Sequence, residues 1–250
     1  PENAPLAYHA SKLIEKFTGH KFGKETLPYN EYQQVKLHLE TDFYFIAPKD
    51  DFHLQTILDR AKYLVRKRGI KALVIDPYNR LENEQGNQNE TQYISSVLDR
   101  LTNFAQQNDV LVILMAHPTK QPKTKDGTIE VPTLYDISGS AHFYNKCDFG
   151  IIVHRDRLQE RVEVRVSKVK FRHLGQVGTA YFKYNLNNGR YTPYTEGQEP
   201  QWDNSNHLIN DLQQKQMDAE AAAVFNFDTN NENDDPFASD HVDDDEDCPF

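Results

Sequence analysis

Residues 71–80, KALVIDPYNR, run through a continuous apolar stretch into Asp76, and residues 110–120, VLVILMAHPTK, repeat the design with His117 at the end. A short apolar run without polar alternation fits a strand covered on both faces, as in parallel sheets. Parallel neighbours need a crossover of a dozen or more residues, usually helical, and the stretch between the two runs supplies one. The pair therefore predicts an α/β sheet that delivers Asp76 and His117 to the carboxyl ends of adjacent strands. In open sheets of this kind ligands bind at that edge.

The flanking segments agree. Leu6, Ala10, Leu13, Ile14 and Phe17 recur at helical spacing across residues 4–18, with Gly19 as a stop. A second helical stretch is expected near 29–40, a short strand FYFI at 43–46, a helix over 53–68 and the first apolar strand at 71–76. A polar loop at 82–90, a helix at 91–107 and the second apolar strand at 110–116 follow. The alternation predicts βαβ crossovers. Residues 118–133, rich in Pro, Lys and Gly, read as a long loop, and loops of that length in a compact domain are usually functional or disordered. A short helix near 134–146, a strand at 149–154 and two hairpin strands at 161–171 and 178–186 come next. The turn at 187–189 (NNG) suits positive φ angles and returns the chain through RYTPY. The sheet is thus expected to end in antiparallel strands.

Charge divides the chain. From Glu196 onward sixteen acidic residues face Lys215 alone, a charge of −15, which leaves +5 on residues 1–195 within the total of −10. A basic body suits phosphate ligands. The terminal stretch is too polar and too charged to offset the entropy of ordering, so the expected division is a folded core at 1–195 and a disordered acidic tail at 196–250. Cys147 and Cys248 lie far apart and predict no disulfide framework, which points to a reducing compartment. No apolar run approaches the roughly 18 residues of a membrane span, and the start PENAPLAYHA has no signal-peptide pattern.

Phosphoryl transfer is mainly positioning and charge stabilisation, so a nucleotidase needs a magnesium-side carboxylate, a γ-phosphate contact, a water-orienting group and a cation at the γ-phosphate. Asp76 and His117 suit the first two. Taken one at a time, Asp76 could equally cap a turn before Pro77, and His117 could be structural. The arrangement is more specific than its parts. VIDPYNRLE, VILMAHPTK, VPTLYDISGSAHFYNKCDFGIIVHRD and VSKVKFRHLGQVGTAYFKYNLNNGRY resemble, in order and spacing, the successive motifs of the RecA-like helicase domain of the replicative DnaB, phage helicase-primase and Twinkle family. The resemblance extends over residues 1 to about 195 and implies a RecA-like, mainly parallel sheet flanked by helices.

On matching positions it also implies roles. Glu2, in the opening PEN, would orient the attacking water, Asp76 would serve as the Walker B carboxylate on the Mg2+ side, and His117 would sense the γ-phosphate of ATP. Lys120, Lys123 and Lys125 match the loop that grips single-stranded DNA in a central pore, and Ser138, Gly139 and Ser140 match the next pore-facing segment. Lys168, Lys170 and Arg172 fall in the segment that reaches into a neighbouring subunit's ATP. Lys170 stands where many members carry an arginine finger, and because an ammonium cannot make a guanidinium's planar bidentate contacts, Lys170 and Arg172 are both candidates. No GxxxxGK[ST] occurs in the sequence, so the phosphate cradle is expected upstream of Pro1 in the parent and the chain as given is expected to bind ATP weakly. The family implies a homo-hexamer moving 5′ to 3′ on single-stranded DNA in a bacterial cytoplasm.

The end DDDEDCPF resembles the acidic tip of bacterial single-stranded DNA-binding proteins, which docks its last Phe in a basic-rimmed pocket. Asp243, Asp244, Asp245, Glu246 and Asp247 would steer, and Pro249 and Phe250 would anchor, an encounter with replisome proteins. A solubilising tail is the simpler reading. Two other functions fit parts of the pattern: a filament-forming RecA-type recombinase, and a non-catalytic module that binds DNA and replication partners.

Overall fold

The computed structural model describes residues 5–47, 52–81, 89–121, 129–137, 141–157, 159–215 and 217–218. The chain divides into two units, residues 1–205 and 206–250. Within the second, residues 207–215 are helical, inside the segment the sequence assigns to a disordered tail.

The first unit opens with two helices, α1 (Leu6–Thr18) and α2 (Tyr29–Asp42). Gly19 ends α1 in the left-handed region, φ 78°, and its N–H donates to the Glu15 carbonyl. Glu15 is buried, and its carboxylate accepts from the Lys12 amine at 2.7 Å and from the Phe22 N–H at 3.1 Å. The carboxylate therefore ties the last turn of α1 to the loop that leads to α2.

Helix α3 (Leu54–Arg68) buries Leu54, Leu58 and Ala61 on one stripe, and Arg66, Lys67 and Arg68 complement the helix dipole in its last turn. Helix α4 (Glu90–Asn108) starts from a reciprocal cap. The Asn89 side chain accepts from the Gln92 N–H at 2.8 Å, and the Gln92 side chain accepts from the Asn89 N–H at 3.3 Å. Its Tyr93, Ile94, Val97, Leu98, Leu101 and Phe104 meet α3 and the strands in one apolar cluster.

Strands β1 (Ala72–Ile75) and β2 (Leu111–Leu114) pair in parallel, with Ala72 opposite Leu111 and Ile75 opposite Leu114. This is the pairing expected from the two apolar runs, except that the described residues cover one face only. Leu73 and Ile75 are buried in the cluster, whereas Val74, Leu111, Ile113 and Met115 are exposed on the other side.

The expected strand at 43–46 is the clearest difference. Residues 43–47 leave α2 through an extended Phe43 and form no regular structure; no described strand lies beside them to complete a ladder, and Phe45 and Ile46 border an open cleft with Arg60, Tyr63 and Leu64. The single helix expected near 134–146 is instead a 3-10 turn at Leu134–Asp136 and a short α5 (His142–Lys146), with residues 138–140 between them outside the described set.

The second sheet is antiparallel throughout: β3 (Phe149–Asp156), β4 (Arg161–Val169), β5 (Gly178–Tyr184) and β6 (Tyr191–Pro193), in that order. The last hairpin turns where the sequence predicts, with Gly189 at φ 70° and Tyr184 opposite Tyr191. Arg190, leaving that turn, is buried and spends its guanidinium on four backbone carbonyls. They are Lys16 at 2.9 Å and Phe17 at 3.1 Å from the end of α1, and Asp203 at 2.8 Å and Ser205 at 2.6 Å. Among the described residues no helix is long and apolar enough to cross a membrane.

Candidate functional site

Asp76 follows β1 directly, and its backbone joins Pro77 through a cis bond. The two strands stay linked beyond their ladder. The Met115 N–H donates to the Ile75 carbonyl at 2.9 Å, and the Tyr78 N–H crosses back to the Met115 carbonyl at 2.7 Å. His117 then leaves the second strand with its N–H on the Asn79 side-chain oxygen at 3.3 Å. Asp76 and His117 thus emerge side by side, both exposed, at the carboxyl edge of neighbouring parallel strands. Beneath them Tyr78 is buried edge-to-face on Phe143 of α5, with centroids 5.2 Å apart, and burial pushes its phenol up to about 12. Asn79 and Tyr78 carry no functional signal in the sequence beyond lying next to Asp76.

The chain after His117 is laced to a distant segment. Pro118 bridges Ile137, and the Thr119 N–H donates to the Asp136 carbonyl at 2.7 Å. The Asp136 carboxylate accepts from the Thr133 N–H and hydroxyl, and those hydrogen bonds hold it below the usual carboxylate range. Lys120 lies exposed just past this joint. Lys123, Lys125, Ser138, Gly139 and Ser140 lie outside the described residues, as do Glu2 and the terminal residues 243–250.

The three cations near the end of β4 differ in their surroundings. The Lys168 amine donates to the Tyr144 and Asn145 carbonyls, which end α5, and sits over the Tyr144 ring. Tyr144 in turn stacks on Tyr135, centroids 4.7 Å apart. Lys170 pairs with Asp148 at 2.8 Å, and its N–H donates to the Asp148 carbonyl at 2.9 Å. Arg172, in the 3-10 turn Arg172–Leu174, is exposed and makes no hydrogen bond or ion pair among the described residues. Tyr144 and Asp148 are contacts the sequence does not disclose, because each partner lies more than twenty residues away. Burial pushes the nearby Cys147 thiol up.

A family model described as "DnaB-like helicase C terminal domain" matches residues 14–193. The chain belongs to the DnaB-like helicase family. It is 40% identical over 206 residues to the "Twinkle homolog protein, chloroplastic/mitochondrial" of Arabidopsis thaliana, a match that takes in 76% of this chain and 29% of that protein. Two solved structures share the fold of this DnaB-like domain. One, an ATPase domain, superposes with a TM-score of 0.63 at 18% identity, covering 77% of this chain and 72% of that one. The other, a DnaB-like replicative helicase solved in a study of its interactions with primase, superposes with a TM-score of 0.62 at 19% identity, covering 76% of this chain and 49% of that one. The chain thus spans less than a third of the length of its plant relative. The RecA-like arrangement expected from the sequence is the fold these structures share.

Proposed function

We propose that this DnaB-like domain is the part of a replicative DNA helicase that couples ATP hydrolysis at subunit interfaces to movement along single-stranded DNA. The observation that carries the reading is the placement of Asp76 and His117 at one carboxyl edge of neighbouring parallel strands, both open to solvent. Such an edge is where a nucleotide sits in open α/β sheets.

The exposed carboxylate at this edge fits Mg2+. Among the described residues no group of three or more His, Cys, Asp or Glu is gathered into a metal cage. Mg2+ is usually held by one or two carboxylates together with substrate phosphates and waters, so a single exposed Asp76 is a suitable protein contribution. Bound there, the ion would neutralise charge on the phosphates. Asp76 would orient the metal side, and the His117 imidazole would contact the γ-phosphate and report its loss through the Pro118–Ile137 bridge. Glu2 is proposed to orient the attacking water.

Lys120, with Lys123, Lys125 and residues 138–140, is proposed to contact single-stranded DNA. Phosphate contacts of this type are sequence-tolerant and salt-sensitive, which suits a tracking motor. Of the three cations at the end of β4, Arg172 is the better candidate for a neighbouring subunit's ATP, because its planar guanidinium has no partner among the described residues whereas Lys168 and Lys170 have partners within the protomer. A ring would bring that edge to the next subunit's nucleotide.

The test is ATPase activity of the complete gene product with and without single-stranded DNA, beside Asp76→Asn. We expect the variant to fold normally and to lose DNA-stimulated turnover by about a hundredfold or more, the scale of a lost metal contact. Equal, DNA-independent rates in the two proteins would remove both the metal role and the coupling.

A further inference from the structure

We propose that Asp148 is the positioning residue of the cation-bearing edge, holding Lys170 in reserve until a neighbouring protomer presents a nucleoside triphosphate. The inference rests on the reading of residues 168–172 as the segment that meets that nucleotide, and deepens it by naming the group that controls access.

Three contacts fix where the chain leaves β4. The main chain of Lys170 is bonded to Asp148, its side chain is paired with the same residue, and Lys168 is anchored two residues earlier on the end of α5. The β3–β4 register shifts at Gly150 and Ile151, so the Asp148–Lys170 pair lies beyond the bulge, at the open end of the ladder. Arg172 starts the turn two residues farther on. The joint is therefore rigid in its backbone and replaceable in its side chains.

The side chains of Lys170 and Asp148 are 48% and 49% exposed. An ion pair so exposed shifts an equilibrium by at most about fivefold, because water competes for both charges. A triphosphate carries more negative charge than one carboxylate and can displace it, while the N–H bond to the Asp148 carbonyl leaves the main chain in place. The chemistry also gives a reason for lysine at this position. An ammonium on a flexible stem exchanges readily between a carboxylate and a phosphate, whereas an arginine could lock onto Asp148 in a planar bidentate pair. Asp148 thus keeps Lys170 from attracting nucleotide before Arg172 and the rest of the edge are aligned.

The experiment is steady-state ATPase of the complete protein carrying Asp148→Asn, Asp148→Glu, Lys170→Ala, Arg172→Ala and the double change Asp148→Asn with Lys170→Ala. In Asp148→Asn the KM for ATP is expected to fall about three- to fivefold and the DNA-free rate to rise by a similar factor, the range an exposed pair allows. The DNA-stimulated kcat should stay within about twofold, so the stimulation ratio drops. Asp148→Glu should restore the parent values, and in the Lys170→Ala background the Asn change should do nothing further. An unchanged KM and ratio in Asp148→Asn, or an effect that persists without Lys170, overturns the role of Asp148 while leaving the edge assignment intact. If Lys170→Ala and Arg172→Ala both leave ATPase unaltered, the assignment of the edge itself fails. Because the changed atoms are exposed, thermal midpoints of all five proteins should agree closely, and a large drop confined to Asp148→Asn would make its role structural.

Discussion

Arg190 shows how a single side chain can hold together parts of a chain that sequence order keeps apart. Its guanidinium fills a buried site between the end of α1 and residues 203–205, and Asn188 beside it donates to the Gly19 carbonyl at 2.9 Å. Removing the group leaves part-buried carbonyls without their donor, and hydrogen bonds from charged groups are worth more than neutral ones. Arg190→Ala is expected to cost about 2–4 kcal/mol in urea unfolding, with Arg190→Lys recovering only part of it because an ammonium lacks the fork. A loss below about 1 kcal/mol would show that water replaces the guanidinium. Nothing in RYTPY announces this role, since Lys16 and Phe17 lie at the opposite end of the unit. Asp76 and His117 were legible for the contrary reason: each is a polar group that ends an apolar run, a purely local signal.

The strands and helices were legible wherever period and end signals coincided, as in α1 with its Gly19 stop and β5–β6 with its NNG turn. They were not legible where pairing decides. FYFI has strand composition, yet a strand is defined by a neighbour, and residues 43–47 have none among the described residues. The break of the 134–146 helix follows from Thr133 and Asp136, whose mutual cap closes a single turn. Packing between elements is tested at Gly150, where a Cβ would strike the Leu134 side chain and crowd the Lys168 Cβ at 3.3 Å. Gly150→Ala should cost about 1–3 kcal/mol, the usual range for overpacking. Combined with Leu134→Ala it should cost less than the sum of the two single changes. Strict additivity in denaturant titrations would mean that β3 and the 134–136 turn move apart at no cost.

At the scale of the whole molecule the governing quantity is the contrast between a body of +5 and a terminal segment of −15. Sequence composition alone reveals it, and it bears on DNA binding because the proposed contacts are lysines. Deleting residues 240–250 removes six carboxylate side chains. If that segment competes with DNA for Lys120 and its neighbours, single-stranded DNA affinity should rise several-fold at low salt, and the gain should vanish above roughly 0.5 M salt, where screening is short-ranged. Binding to replisome proteins should fall in the same variant if Phe250 is an anchor. Unchanged affinity for DNA and for partners would leave the segment a solubilising role.

The amino-acid order by itself determined the local and the chemical: where the longer helices lie, where the last hairpin turns, and that a carboxylate and an imidazole end two apolar runs that pair as parallel strands. These follow from backbone sterics, side-chain period and burial, all of which act within a few residues. Only the tertiary structure decided that Lys170 is paired while Arg172 has no partner among the described residues, that Arg190 clasps the end of α1, and that the described residues cover one face of β1 and β2. Those outcomes depend on distances between groups far apart in the chain. Such distances are set by packing, which no periodicity encodes.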